Sequence, residues 1–109
     1  MIETRKILGQ AALAATTLTD VYTVPAATQT IISTFLVCNR STTSSDFRTA
    51  VAPGGAADTA SQYIYYDVQI EGNDTFAATI GIALTATDKI RAYTSGNSGS
   101  ISVFGVEIT

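Results

Sequence analysis

Between residues 75 and 84, Phe76, Ala78, Ile80, Ile82 and Leu84 alternate with Thr75, Ala77, Thr79, Gly81 and Ala83. Successive side chains of a strand point to opposite faces, so this spacing predicts a strand whose first set faces a core. Residues 62–70 alternate likewise, with Ile64, Tyr66, Val68 and Ile70 on one side. Tyr63, Tyr65, Asp67 and Gln69 lie on the other and are assigned to the outside. In residues 101–108, Ile101, Val103 and Gly105 alternate with Ser102, Phe104, Val106 and Ile108. Both faces of that strand carry apolar residues, which suits a central or covered position. Further strands are predicted at 28–40, 47–52 and 89–94, with weaker signals at 5–10 and 21–24. No window keeps the i, i+3, i+4, i+7 spacing of a capped helix, although the Ala-rich residues 10–17 accommodate one short helical turn.

Turn chemistry separates these strands. Segments 71–74 (Glu-Gly-Asn-Asp), 85–88 (Thr-Ala-Thr-Asp) and 96–99 (Gly-Asn-Ser-Gly) are short and rich in residues that tolerate left-handed backbone. Segments 41–46 and 53–61 read as longer, mobile loops. About eight short strands with turns roughly every ten residues describe an all-β chain, an antiparallel β-sandwich of jelly-roll type. If the strands run alternately up and down, loops 41–46, 71–74 and 96–99 share one end, and connections 25–28, 53–61 and 85–88 share the other. With 109 residues the chain forms one domain over 1–109, and residues 1–20 are a candidate extended N-terminal arm.

Charge changes this picture, because only 14% of the residues are charged, against about 25% in an average soluble domain. The deficit falls on the surface, which predicts an exterior shielded by other subunits and a homo-oligomer. Six basic residues, scattered and outnumbered for a net charge of −3, give no phosphate-binding patch, so a nucleic-acid partner is not expected. No apolar run reaches the ~18 residues of a spanning helix, and no membrane association is expected. The first fifteen residues imitate a signal peptide, but Glu3, Gly9 and Gln10 interrupt it, so an uncleaved start is expected. Cys38, alone in an apolar stretch, is expected as a small buried thiol.

The chain contains no His, which removes the commonest general base and metal ligand, and the expectation is a binding module and not an enzyme. Asp20, Asp46, Asp58, Asp74 and Asp88 sit at strand ends or turns, where Asp caps local backbone. Glu71-Gly-Asn-Asp74 lacks the alternation of a calcium loop, nothing clusters for zinc, and neither metal nor cofactor is assigned. Gly54 and Gly55 lack the Lys and helix of a phosphate loop. The glycosylation patterns at Asn39 and Asn73 arise readily by chance in a Ser- and Thr-rich chain. For recognition, the candidate interface is Tyr63, Tyr65 and Asp67, since Tyr offers a rigid apolar body with a polar tip. Tyr also covers sheet faces without binding anything, and both readings stand.

Val21-Tyr-Thr-Val-Pro-Ala26, the strand ending in Cys38-Asn-Arg40, Phe47-Arg-Thr-Ala-Val-Ala-Pro53, Tyr63-Ile-Tyr-Tyr-Asp67 and Asp74 to Ile82 are similar to the strand motifs of small tailed-phage virion proteins. Phe104-Gly-Val-Glu-Ile-Thr109 resembles the usual ending of that family, and the likeness spans roughly residues 7 to 109. The resemblance implies a β-sandwich on the phage particle. Its leading form is a capsid decoration (cement) protein that stabilises the head lattice against the major capsid protein or other virion proteins after synthesis in the host cytoplasm. The alternative is a tail, baseplate or tail-fibre module that binds a host receptor or glycan, with loops 41–46 and 96–99 carrying recognition.

Overall fold

The alternation produces nine strands in a computed structural model that describes residues 1–109. They are β1 (Glu3–Leu13), β2 (Thr19–Thr23), β3 (Gln29–Asn39), β4 (Ser45–Ala52), β5 (Tyr63–Ile70), β6 (Thr75–Ala78), β7 (Ile82–Leu84), β8 (Lys89–Thr94) and β9 (Gly99–Ile108). Sheet A has the order β1-β9-β3-β6, with β7 also on β3, and sheet B has the order β2-β8-β4-β5. All these strand pairs are antiparallel, and the protein is an all-β sandwich. Counting β6 and β7 as one broken strand, each early strand pairs with the one equally far from the other end of the sequence: β1 with β9, β2 with β8, β3 with β6/β7, β4 with β5. This folded ribbon is the strand order of a jelly roll.

The inner faces interdigitate around Leu13, Val24, Ile32, Val37, Phe47, Ile101 and Val103, all nearly inaccessible. Burying one such side chain stabilises the fold by about 1.5–3 kcal/mol. Phe35, Phe47, Tyr65 and Phe76 form an aromatic cluster with ring centroids 4.9–6.3 Å apart. β9 is the central strand expected from its two apolar faces, held by β1 on one side and β3 on the other.

Several expectations change. Residues 75–84 form two short strands, because their partner β3 carries a bulge between Ile32 and Thr34 and pairing stops opposite it. The inward set is retained, with Ala78 and Leu84 buried. The Ala-rich 10–17 stretch has no helical turn, since β1 continues to Leu13, a core residue. Residues 1–20 thus hold β1, paired along β9, and the crossover to β2 in the other sheet. Gly9 permits that corner: a Cβ there would collide with the Val21 carbonyl of β2. Cys38 is only partly buried, because alternation gives the inward position to Val37 and turns Cys38 outward.

The loop ends are arranged as expected from alternating strands. Asn73 N–H donates to the Ser41 carbonyl and Arg40 N–H to that of Ser98, joining one end. Gly54 N–H donates to Asp88 Oδ1 and Thr87 N–H to the Val24 carbonyl, joining the other. The 53–61 connection, expected as a mobile loop, contains a 3₁₀ turn and lies back on sheet B. Arg91 donates to the Ala56 carbonyl at 2.7 Å, Gln62 to that of Ala57 at 2.8 Å, and Tyr63 to Asp58 at 2.9 Å.

Candidate functional site

The two outer faces of the sandwich differ in chemistry. On sheet B, register places Asp20, Arg91, Arg48, Tyr93, Asp46 and Lys89 outward. Asp20 accepts from both Lys89 and Arg91 at 2.8 Å, and those two cations, Lys89 first, hold its carboxyl below the usual carboxylate range. Arg48 lies between two rings, 4.1 Å from the centroid of Tyr66 and 4.3 Å from that of Tyr93. It also donates to Asp67 at 2.6 and 3.3 Å, and that charged pair raises its pKa further above neutrality. The charges of this face are therefore largely paired among themselves.

Tyr66 reaches that surface through two irregularities in β5. Phe47 pairs with Val68 and Thr49 with Tyr65, so Arg48 alone faces both Tyr66 and Asp67; a second shift follows at Ile64. Asp67 takes the left-handed φ of 53° that such a bulge demands, a conformation Asp tolerates better than most residues. Each extra residue reverses the inward and outward assignment on one side of it.

The three residues expected at an interface consequently part company. Tyr65, assigned outward by simple alternation, turns inward into the aromatic cluster, with its ring 5.2 Å from Phe76 and 5.9 Å from Phe47. Tyr63 is half-buried on the outer side, its ring perpendicular to Tyr66 at 5.0 Å, and burial followed by the Asp58 contact pushes its phenol pKa up. Asp67 is exposed and engaged by Arg48. Sequence reasoning missed Tyr66, Arg48 and Tyr93. The last two were accessible to it, because each follows an inward residue, Phe47 or Ala92, on a predicted strand.

A shallow cleft is lined by Arg48, Asp58, Thr59, Ala60, Tyr63 and Tyr66. No three His, Cys, Asp or Glu side chains converge anywhere in the molecule. No family model and no curated protein matches this sequence.

Sheet A presents the opposite exterior. Its outward rows are Ile7, Phe104, Thr34 and, one pair further along, Arg5, Val106, Ile31, Ala83. Ile108 lies beyond Val106 on the same side, and Gln10, Ser102 and Leu36 continue the face in the other direction. Among the outward strand positions of this sheet only Glu3 and Arg5 are charged. Ile7 is 53% exposed and Ile31 44%, and no helix or loop overlies them. The β3 bulge at Ser33 accompanies a dimple there, rimmed by Arg5, Lys6, Ile7, Phe104 and Val106. Loops 41–46 and 96–99 are knotted internally: Asn39 Nδ2 donates to the Thr43, Ile70 and Glu71 carbonyls, and Ser45 Oγ accepts from Gly96 N–H.

Proposed function

We propose that this chain is a structural protein of a tailed-phage virion, a decoration subunit that lays the outer face of sheet A on the major capsid protein or a neighbouring virion subunit. The observation that carries the reading is the uncovered, nearly uncharged face formed by Ile7, Ile31, Phe104, Val106 and Ile108. A face four strands wide and ten residues long measures roughly 600 Å² in projection at ~4.8 Å per strand and ~3.3 Å per residue. That is comparable to the ~800 Å² each partner buries in a specific interface. Sheet B offers no such surface, because its charges are paired and solvated. Jelly rolls recur in viral capsid domains, an analogy of fold that agrees with the motif resemblance and does not replace the surface argument.

Ile31→Lys tests the reading, since it places a charge on the face without entering the core. The unmodified protein is expected to co-sediment with phage heads that lack it, and the variant to lose at least tenfold in affinity while unfolding at the same temperature. Binding to isolated tails alone transfers the proposal from the head to the tail. A protein that stays monomeric and ignores both particles refutes it.

A further inference from the structure

Tyr66 is the most exposed aromatic side chain, at 56%, although its neighbours hold it rigidly. Arg48 packs on its ring at 4.1 Å and is itself supported by Tyr93 at 4.3 Å, while Tyr63 stands perpendicular at 5.0 Å. The two β5 bulges and the left-handed Asp67 put the ring there, in a strand whose simple alternation would have turned it inward. Strained backbone of this kind concentrates where a side chain is being aimed at something. Structural cover for a sheet does not require it.

We propose that the cleft between Tyr66, Tyr63 and the 58–60 segment is a binding site for a neutral pyranose sugar. The C–H bonds on a pyranose face carry partial positive charge and pack on the negative face of an aromatic ring, here pre-ordered so that binding immobilises little. Hydroxyl groups around the sugar need donors and acceptors at the rim. Asp58 gives one oxygen to the Tyr63 hydroxyl at 2.9 Å and has the other for a ligand, and Thr59 lines the same cleft. Arg48 contributes one positive charge against the negative charges of Asp58 and Asp67, so the local balance is negative and disfavours uronic or sialic acids. A flat protein partner fits less well. The cleft is concave, and the surrounding sheet B exterior is charged and internally paired, without the apolar core of a protein interface. The site lies on sheet B and the proposed docking face on sheet A, so sugar binding stands independently of that reading.

The experiment is saturation-transfer NMR on the intact protein with the methyl glycosides of glucose, galactose and N-acetylglucosamine at millimolar concentration, and methyl glucuronide as the acidic probe. At least one neutral glycoside is expected to receive saturation and to shift Tyr63 and Tyr66 ring resonances, with the glucuronide weaker. Tyr66→Ala, at an exposed position, is expected to lose at least tenfold in affinity and Asp58→Asn severalfold. Ile31→Lys on the other sheet keeps sugar binding, and Tyr66→Ala keeps binding to phage heads, so the two proposals fail separately. The inference is overturned by no transfer to any neutral glycoside, by tighter binding of the glucuronide, by binding that survives Tyr66→Ala, or by Tyr66→Ala abolishing a protein contact instead.

Discussion

Replacing Tyr22 by Phe removes one oxygen from a buried chain of hydrogen bonds that closes one end of the sandwich. Tyr22 Oη lies 2.7 Å from Thr30 Oγ1 and donates at 2.7 Å to Glu107 Oε2, while Glu107 Oε1 accepts from Lys6 at 3.1 Å. Tyr22 is 8% exposed and Thr30 0%, so no solvent replaces the lost partner. A hydrogen bond to a charged group contributes about 1.5–3 kcal/mol, and the orphaned Thr30 hydroxyl adds roughly 1 kcal/mol of uncompensated burial. The expected loss is about 2.5–4 kcal/mol, a fall in melting temperature of ~10–16 °C for a domain of this size. Urea unfolding with an unchanged m-value measures it.

The pH dependence supplies a second, independent readout. The Tyr22 hydroxyl, and after it Lys6, hold the Glu107 carboxyl below its ordinary 4.5. A depressed folded-state pKa stabilises above the unfolded value and is lost as pH falls through the folded one, so the difference between the two proteins is full at neutral pH and shrinks below about pH 4.5. Burial pushes the Tyr22 phenol from 10.0 up to about 12. Its contribution is present below pH 10 and lost as pH rises toward about 12, an alkaline limb that the Phe variant lacks. A variant within about 0.5 kcal/mol of the parent at pH 7, or a difference that does not change between neutral and acid pH, refutes the reasoning.

Asn39→Ala removes a side chain, 2% exposed, whose Nδ2 donates to the Thr43 carbonyl at 2.8 Å and shares its other hydrogen between the Ile70 and Glu71 carbonyls, and is expected to cost about 2–3 kcal/mol. Calorimetry measures that loss, and hydrogen exchange should rise first around residues 41–46 and 70–73. Thr49→Val should stabilise by about 1 kcal/mol in urea titration, because Thr49 Oγ1 is buried beside Ile32, Phe35 and Ile90 without a hydrogen-bond partner. Cys38, partly exposed on the outer side of sheet A, should react with a thiol reagent in the free protein and be protected when bound to phage heads.

The sandwich was legible wherever alternation ran unbroken. Residues 101–108 announced a central strand because Phe104, Val106 and Ile108 made their second face apolar, and Phe76 to Leu84 kept their face even though the strand breaks. β1 was legible only to Gln10, because Ala11 and Ala12 carry no strand preference and the pairing that extends it comes from β9, at the far end of the sequence. Of the three candidate residues, Tyr63 and Asp67 lie on the outer side as alternation assigned them and Tyr65 does not. Tyr63-Ile-Tyr-Tyr-Asp67 contains no Gly or Pro to mark a bulge, so period-two reasoning put Tyr65 outside and Tyr66 inside, the reverse of what the β4 pairing imposes. That inversion hid the aromatic cleft.

The ribbon order also fixes when the outer face of sheet A is complete. β4 and β5 pair with each other as neighbours in sequence, but sheet A is incomplete until β9 lies between β1 and β3. Such distant pairings are slow, and a nascent chain that stops short of residue 99 leaves both neighbours with naked edges. Phe104, Val106 and Ile108 arrive with that same final strand. A chain that stops short of β9 therefore lacks three of the five apolar residues of the sheet A face and leaves β1 and β3 without the strand that joins them.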